Sequence, residues 1–257
     1  MNPAPLPAND TETVAMELLR DLVAASWHAL HSLDARIPEP RLINEYFFYS
    51  ARQINNATAG FSALRDRDLR AGAKLLVRPA IEAVFRLYAV KNKPELVYRI
   101  LYSEAIDHDK WAGRMAHLAG IEEKATSFES PEWQTFRAAC VKAFGEDKVK
   151  DTPVTLRDVA REAGFEQVYT GFYSMYCKHT HGSLAALKGG FDVLSDPADT
   201  WVMVMSSMDA LRFLVSLGGE CRDFQRLSER WKAVAFRLKD FAINRDVTPN
   251  PQSQHRN

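Results

Sequence analysis

Cysteine is scarce in this sequence, and its spacing excludes disulfide-stabilised and zinc-stabilised small domains. The chain has 257 residues and only three cysteines, Cys140, Cys177 and Cys221. An odd number of widely spaced cysteines without a CxxC pair forms neither a disulfide framework nor a cysteine-type zinc site. Such usage is typical of a reducing compartment, so we predict a cytoplasmic protein.

An excess of charge of either sign is also absent. Lys and Arg together number 33, and so do Asp and Glu, which gives a formal net charge of zero. Proteins that bind nucleic acid or an anionic membrane usually carry a basic excess. The balance therefore disfavours nucleic acid as a partner, although a local basic patch would still permit it.

Long hydrophobic runs are missing as well. The longest apolar stretch, Trp201 to Leu217, is interrupted by polar residues and is shorter than the roughly 20 residues that a bilayer span needs. The N-terminal residues lack the basic and apolar regions of a secretory signal. We therefore predict no membrane partner and interpret the stretch as a buried core helix.

Helical periodicity, in contrast, runs from end to end. Apolar residues recur at steps of three and four, as on amphipathic helices. Start signals stand at Asn9, Asp66, Pro94, Pro131, Thr155 and Ser195, and glycine stop signals at Gly120, Gly164, Gly189 and Gly218. The pattern predicts an all-α, single-domain helical bundle of about eight or nine helices over residues 9–244. Residues 1–8 and 245–257 are predicted to be disordered tails.

The predicted third helix carries a line of charge on an otherwise apolar surface. Arg78, Glu82 and Arg86 are spaced by four residues, so they lie along one side of the helix. Pro79 removes a backbone donor beside Arg78. Because charges on a central helix must be paired or face a polar cavity, these residues are candidates for a site. The alternative is an ordinary solvated Arg–Glu–Arg stripe.

The densest group of polar and titratable side chains follows in residues 169–183. Tyr173, Cys177 and His181 are four residues apart, with Lys178 and His179 between the last two. A thiolate beside an imidazolium would be a nucleophile, but most single buried cysteines are small core side chains. We therefore take this group as ligand-binding candidates and leave the catalytic role open.

Metal binding is disfavoured by geometry. His179 and His181 are two residues apart and point in different directions on a helix, and the group from Asp107 to Asp109 has the same spacing. No HExxH or Cys/His set is present. We predict no metal and no cofactor.

The segment from Thr155 to Gly164 resembles the first helix and turn of repressor-type helix-turn-helix domains. The residues that follow Phe165 are too aromatic for a helix in the major groove. Thr155 with Asp158 as a plain helix cap explains the same pattern. We therefore interpret the segment as a capped helix.

Two motifs together resemble a known family. Arg78-Pro-Ala-Ile-Glu82 lies inside an apolar helix, and Tyr173 precedes Cys-Lys-His-Thr-His181-Gly. The chain is similar over residues 41–188 to bacterial all-helical proteins that form a domain family of unknown function. The resemblance implies roles for Arg78, Glu82, Tyr173 and His181, whereas Cys177 stands where that family usually has Ser.

A wider resemblance is to the HEPN superfamily of helical bundles, many of which are ribonucleases of defence systems. Those enzymes place an Arg four to six residues before the catalytic His. The positions at that spacing before His181 are Ser174, Met175 and Tyr176, and none of them is Arg. The resemblance therefore implies the fold more strongly than the usual ribonuclease activity.

Three hypotheses follow for function. The first is a non-enzymatic helical protein in which Arg78, Glu82 and His181 form a buried polar cluster that binds a small anionic ligand. The second is a HEPN-like nuclease with His181 as acid/base and Arg78 or Arg86 stabilising a phosphate. The third is an interaction subunit, a homodimer through its apolar C-terminal helices.

Overall fold

The computed structural model describes residues 8–33, 36–38, 41–120, 126–174, 176–177 and 196–245. These residues contain no β-strand, which confirms the predicted all-α fold class. The nine α-helices in this part of the chain are α1 (Ala8–Leu33), α2 (Arg41–Arg65), α3 (Arg70–Asn92), α4 (Leu96–Ala119), α5 (Pro131–Phe144), α6 (Leu156–Glu162), α7 (Glu166–Val168), α8 (Asp196–Ser216) and α9 (Phe224–Arg245). A 3₁₀ turn, Ser127–Glu129, precedes α5, and a π-helix, Tyr169–Tyr173, follows α7 directly.

Local signals in the sequence set several of the helix boundaries. Gly120 ends α4 with a φ of 70°, a conformation that glycine adopts without steric cost. The Ser130 side chain accepts a hydrogen bond from the backbone of Trp133 at the start of α5. The predicted start of the third helix at Asp66 is wrong. α3 begins at Arg70 because residues 66–68 form a turn in which Asp68 has a φ of 57°.

Backbone contacts group the chain into two compact units. The first comprises Met1–Ile37, Phe48–Val84 and Gly171–Asn257, and within it α8 packs against both α1 and α9. The apolar side chains of α8 are buried there, among them Val202, Met203, Val204, Met208, Leu211 and Leu214. The interpretation of the stretch from Trp201 to Leu217 as a core helix is thus confirmed.

The second unit comprises Pro38–Phe47 and Phe85–Thr170. Its interior is an aromatic cluster in which neighbouring ring centroids lie 4.8–6.1 Å apart, built from Tyr98, Tyr102, Phe128, Trp133 and Phe136. Phe165 packs against Phe85 and Tyr88 with centroid distances of 5.8 and 5.2 Å. Aromatic side chains of this kind contribute large apolar contact areas, although of the five only Tyr98 is buried.

None of the helices in the described part of the chain is long and apolar enough to cross a membrane.

The interpretation of Thr155 and Asp158 as a helix cap is confirmed. The Thr155 side chain accepts a hydrogen bond from the Asp158 backbone N–H, and the Asp158 carboxylate accepts one from the Thr155 N–H. This reciprocal capping box satisfies two backbone donors at the start of α6. The bond from the Thr155 hydroxyl holds the pKa of the Asp158 carboxyl below its usual value.

Removing this cap should weaken the second unit. We expect Thr155→Ala to lower the free energy of unfolding by about 1 kcal/mol at pH 7. Because the pKa of Asp158 is lowered in the folded state, its contribution is present above the unfolded pKa of about 3.9 and is lost as the pH falls through the folded value. Urea unfolding from pH 7 to pH 3 should therefore show the difference shrinking below about pH 4.

The control for this prediction is Thr135→Ala. Thr135 is an exposed threonine inside α5 whose hydroxyl donates to the Pro131 carbonyl at 2.8 Å. That hydroxyl caps no helix start, so we expect a change within about 0.5 kcal/mol. An equal loss in both variants would contradict the role of the capping box.

Candidate functional site

Arg78, Glu82 and Tyr173 form a connected polar network in the first unit. The Nε of Arg78 donates to Oε1 of Glu82 at 2.8 Å, and the Tyr173 hydroxyl donates to the same oxygen at 2.6 Å. The guanidinium carbon of Arg78 lies 5.6 Å from the centroid of the Tyr173 ring, within the range of a cation–π contact. The structure thus brings together three of the predicted site residues.

Burial and hydrogen bonding together set the ionisation of this network. The side chains of Arg78 and Glu82 are 24% and 18% exposed, and Tyr173 is buried. Burial raises the pKa of Tyr173, and its hydrogen bonds with Glu82 and Cys177 raise it further. Burial alone would lower the pKa of Arg78, but the hydrogen bond to Glu82 and the nearby Tyr173 outweigh it, so this pKa is raised. Tyr173 is therefore a neutral donor at physiological pH.

Two helix irregularities adjoin this network. Pro79 lies inside α3, between Arg78 and Glu82, and cannot donate the helical hydrogen bond to the carbonyl of Leu75. Tyr173 is the last residue of the π-helix Tyr169–Tyr173. Insertions of π-helix geometry are rare and occur frequently at functional sites. The network thus lies beside a missing helical hydrogen bond in α3 and at the end of a π-helix.

A second network was missed in the sequence analysis. One of its members is Lys74, which lies on the same side of α3 as Arg78 and Glu82. The Tyr176 hydroxyl donates to Oδ1 of Asp199 at 2.6 Å, and Nζ of Lys74 lies 3.9 Å from Oδ2 of Asp199. Tyr176 and Asp199 are each 1% exposed. Burial raises the pKa of Tyr176 strongly, and the Asp199 carboxyl adds to the effect.

One signal for this second network was present in the sequence. Lys74 stands four residues before Arg78, so it extends the line of charge by one helical turn. Asp199 gave no such signal, because an aspartate in the first turn of a helix is usually an exposed partner of the helix dipole. Only the packing of α8 makes it a buried carboxyl group.

Of the other predicted site residues, only Cys177 lies beside the first network in the described part of the chain. Arg86 lies in the second unit and pairs with Glu104 at 3.1 Å. Cys177 is half-buried, and its thiol contributes to the raised pKa of Tyr173. Lys178, His179 and His181 lie outside the residues that the structure describes.

Thiol and metal chemistry receive little support from the described residues. Burial raises the pKa of the Cys140 thiol to about 12, so Cys140 is a core side chain and not a nucleophile. Within the described ranges, no group of three or more His, Cys, Asp or Glu side chains could hold a metal ion. Asp109, one of the residues considered for metal, accepts a hydrogen bond from the Ser127 backbone at 3.0 Å and anchors the 3₁₀ turn.

In the described part of the arrangement, phenols, carboxylates and cations are paired with one another. Its two phenols keep their protons at neutral pH, and their hydroxyls donate to Glu82 and Asp199. Each carboxylate also faces a cation on α3. Side chains fixed in this way lose little conformational freedom when a ligand binds.

A family model matches residues 44–198, which is more than half of the chain. Its description is a family of unknown function, DUF5677. The chain belongs to this family. The sequence-based expectation of a family without a known function is thus confirmed. The DUF5677 match contains Arg78, Glu82 and Tyr173 and ends immediately before Asp199. No curated protein and no solved structure matches the chain.

Proposed function

We propose that this protein is a non-enzymatic helical binding protein whose ligand is a small anion. The binding site is the network of Arg78, Glu82 and Tyr173, with His181 as a further member. The observation that carries the proposal is the state of Arg78, whose guanidinium is held by Glu82 and Tyr173 while the side chain remains 24% exposed.

The chemistry of arginine supports this ligand class. A guanidinium is always charged, and its planar array of donors matches the oxygens of carboxylates and phosphates. Arg78 is oriented before any ligand arrives, because Glu82 accepts from its Nε and the Tyr173 ring lies against it. Such preorganisation reduces the entropy that a ligand must overcome on binding.

The two irregular helix segments give further support. A regular helix would serve a purely structural ion pair equally well, and Arg41 with Glu45 on α2 is an example, with an Nε to Oε1 distance of 2.6 Å. The Arg78 pair has the same spacing but adjoins Pro79 and the end of a π-helix. Irregular geometry costs stability, so its presence at these contacts favours a functional role.

The test is binding of inorganic phosphate and acetate, each followed by thermal unfolding and by NMR titration. We expect saturable binding by the wild type and stabilisation of about 1.4 kcal/mol at an anion concentration ten times Kd. Arg78→Gln should weaken binding at least tenfold, since a charged hydrogen bond is worth about 1.5–3 kcal/mol.

The matched control is Arg41→Gln, which removes the arginine of an exposed pair with the same spacing and atoms. It should leave anion binding unchanged. Equal losses in the two variants, or no saturable binding by the wild type, would contradict the proposal.

The nuclease alternative is tested on the same protein with RNA and a phosphodiester substrate. Cleavage by the wild type that disappears in a folded His181→Gln variant would replace the binding proposal, because an amide cannot exchange a proton near neutral pH. We expect that neither the wild type nor the His181→Gln variant cleaves RNA or the phosphodiester substrate.

A further inference from the structure

The C-terminal half of α4 carries three large apolar side chains that are exposed to solvent. Trp111, Met115 and Leu118 are spaced by four and three residues, so they lie on one side of the helix. Their exposed fractions are 60%, 47% and 78%. Large apolar side chains grouped in this way on a surface mark an interaction site.

The C-terminal half of α4 has little apolar packing of its own. The buried residues of α4 are Leu96, Val97, Tyr98 and Ile100, so none of residues 101–119 is buried. Helices derive most of their stability from packing an apolar face, and Gly113 weakens an isolated helix further. A partner on the exposed face would supply the missing packing.

Charges on this part of α4 are separated by sign. Asp107 lies one turn before Trp111, and its side chain is 78% exposed. Arg114 and His117 lie about two and about three turns after Asp107, are exposed, and have no hydrogen-bond or ion-pair partner among the described residues. Asp107 bonds only across the surface to Lys110 at 3.2 Å, a kind of pair that contributes little and is readily exchanged.

We propose that the partner on this face is a second copy of the chain, bound with the two α4 helices antiparallel. A two-fold axis near Trp111 packs the two apolar faces together and brings Asp107 of each copy opposite Arg114 and His117 of the other. A parallel pair would instead place like charges opposite each other. Self-complementarity of this kind is what a two-fold interface requires.

The same charges argue against other partners for this face. Nucleic acids and anionic membranes require a basic excess, whereas Asp107 and Asp109 offset Lys110 and Arg114 on this segment. The exposed face is short, so the interface is small and the association is of the weak, reversible class.

The first test measures molar mass by analytical ultracentrifugation over protein concentrations from about 1 to 300 μM, since dimerisation follows mass action. We expect the wild type to change from monomer to dimer within this range. Trp111→Ala should weaken the dimer by about thirtyfold or more, because a buried tryptophan at the centre of an interface is a typical hot spot. The control Phe236→Ala removes a ring on α9 that is 68% exposed, and it should leave the dimer unchanged.

The second test distinguishes the antiparallel arrangement. Asp107→Lys and Arg114→Glu should each weaken the homodimer by about tenfold, because each places like charges opposite each other. A mixture of the two variants should form a heterodimer in which both contacts are attractive again, and the double variant should recover the homodimer. Neither substitution touches a buried residue, so both proteins should keep the wild-type circular dichroism.

Three outcomes would overturn the proposal. One is a wild type that stays monomeric at every concentration tested. Another is a dimer that Phe236→Ala weakens and Trp111→Ala does not, or one in which the charge variants fail to pair. The third is monomeric protein whose Trp111 mediates binding to vesicles of phosphatidylcholine and phosphatidylglycerol, which would make the partner a membrane surface.

Discussion

Asp199→Ala is expected to lower the free energy of unfolding by about 3–5 kcal/mol, the largest effect of any single substitution that we consider. The carboxyl group of Asp199 is buried and accepts from Tyr176 at 2.6 Å. Its removal leaves a fully buried phenol hydroxyl without this acceptor and Lys74 without this carboxylate. Urea unfolding at pH 7, followed by circular dichroism, measures the loss.

Two further variants separate the contributions at Asp199. Asp199→Asn keeps an oxygen that can accept from Tyr176 but removes the charge opposite Lys74, so its loss should be smaller than that of Asp199→Ala. Asp223→Ala is the matched control because Asp223 forms an exposed pair with Arg226 at 3.2 Å. Such a pair contributes about 0.2–1 kcal/mol. If Asp199→Ala lowered the free energy of unfolding no more than Asp223→Ala, the second network would not stabilise the fold.

Glu82→Ala is expected to cost about 2–3 kcal/mol. Glu82 accepts from both Arg78 and Tyr173, and loss of the acceptor of a buried hydroxyl costs about 1–3 kcal/mol. The ion pair adds a smaller amount, because its two side chains are 24% and 18% exposed and solvent screens them in part. The effect therefore lies between that of a surface pair and that of a fully buried pair.

Glu45→Ala provides the comparison for Glu82→Ala. Glu45 and Arg41 have the same four-residue spacing as Arg78 and Glu82, but their side chains are 36% and 70% exposed. We expect a loss below about 0.5 kcal/mol for Glu45→Ala. A loss of the same small size for Glu82→Ala would support the solvated-stripe interpretation of α3 and remove the structural basis of the candidate site.

The third hypothesis from the sequence placed a dimer interface on the apolar C-terminal helices. In the structure the apolar side chains of α8 are buried within the first unit, whereas Phe236 on α9 is exposed. The face that we propose for the dimer is instead the exposed apolar side of α4. Its exposure could not be predicted from the sequence, since Trp111, Met115 and Leu118 have the same spacing as the core residues of any amphipathic helix.

The sequence by itself determined the helices and several of their ends. The step of three and four residues between apolar positions defined α1 and α2, and Pro131, Gly120 and the Thr155 cap marked ends that the structure reproduces. These signals are local, because a cap or a glycine acts through the backbone of its own turn. The four-residue spacing of Arg78 and Glu82 was sufficient to predict their contact for the same reason.

Tertiary structure alone decided how side chains that are distant in the sequence contact one another. Tyr173 reaches Glu82 across 91 positions of sequence, and Asp199 meets Tyr176 and Lys74 only because α8 packs where it does. A helical pattern fixes which residues share a face, but not which helix lies opposite that face or how deeply it is covered. For this reason the sequence did not predict that Asp199 is a buried carboxyl group. It also could not predict that Arg78 joins the site and Arg86 does not, because both lie on the same side of α3.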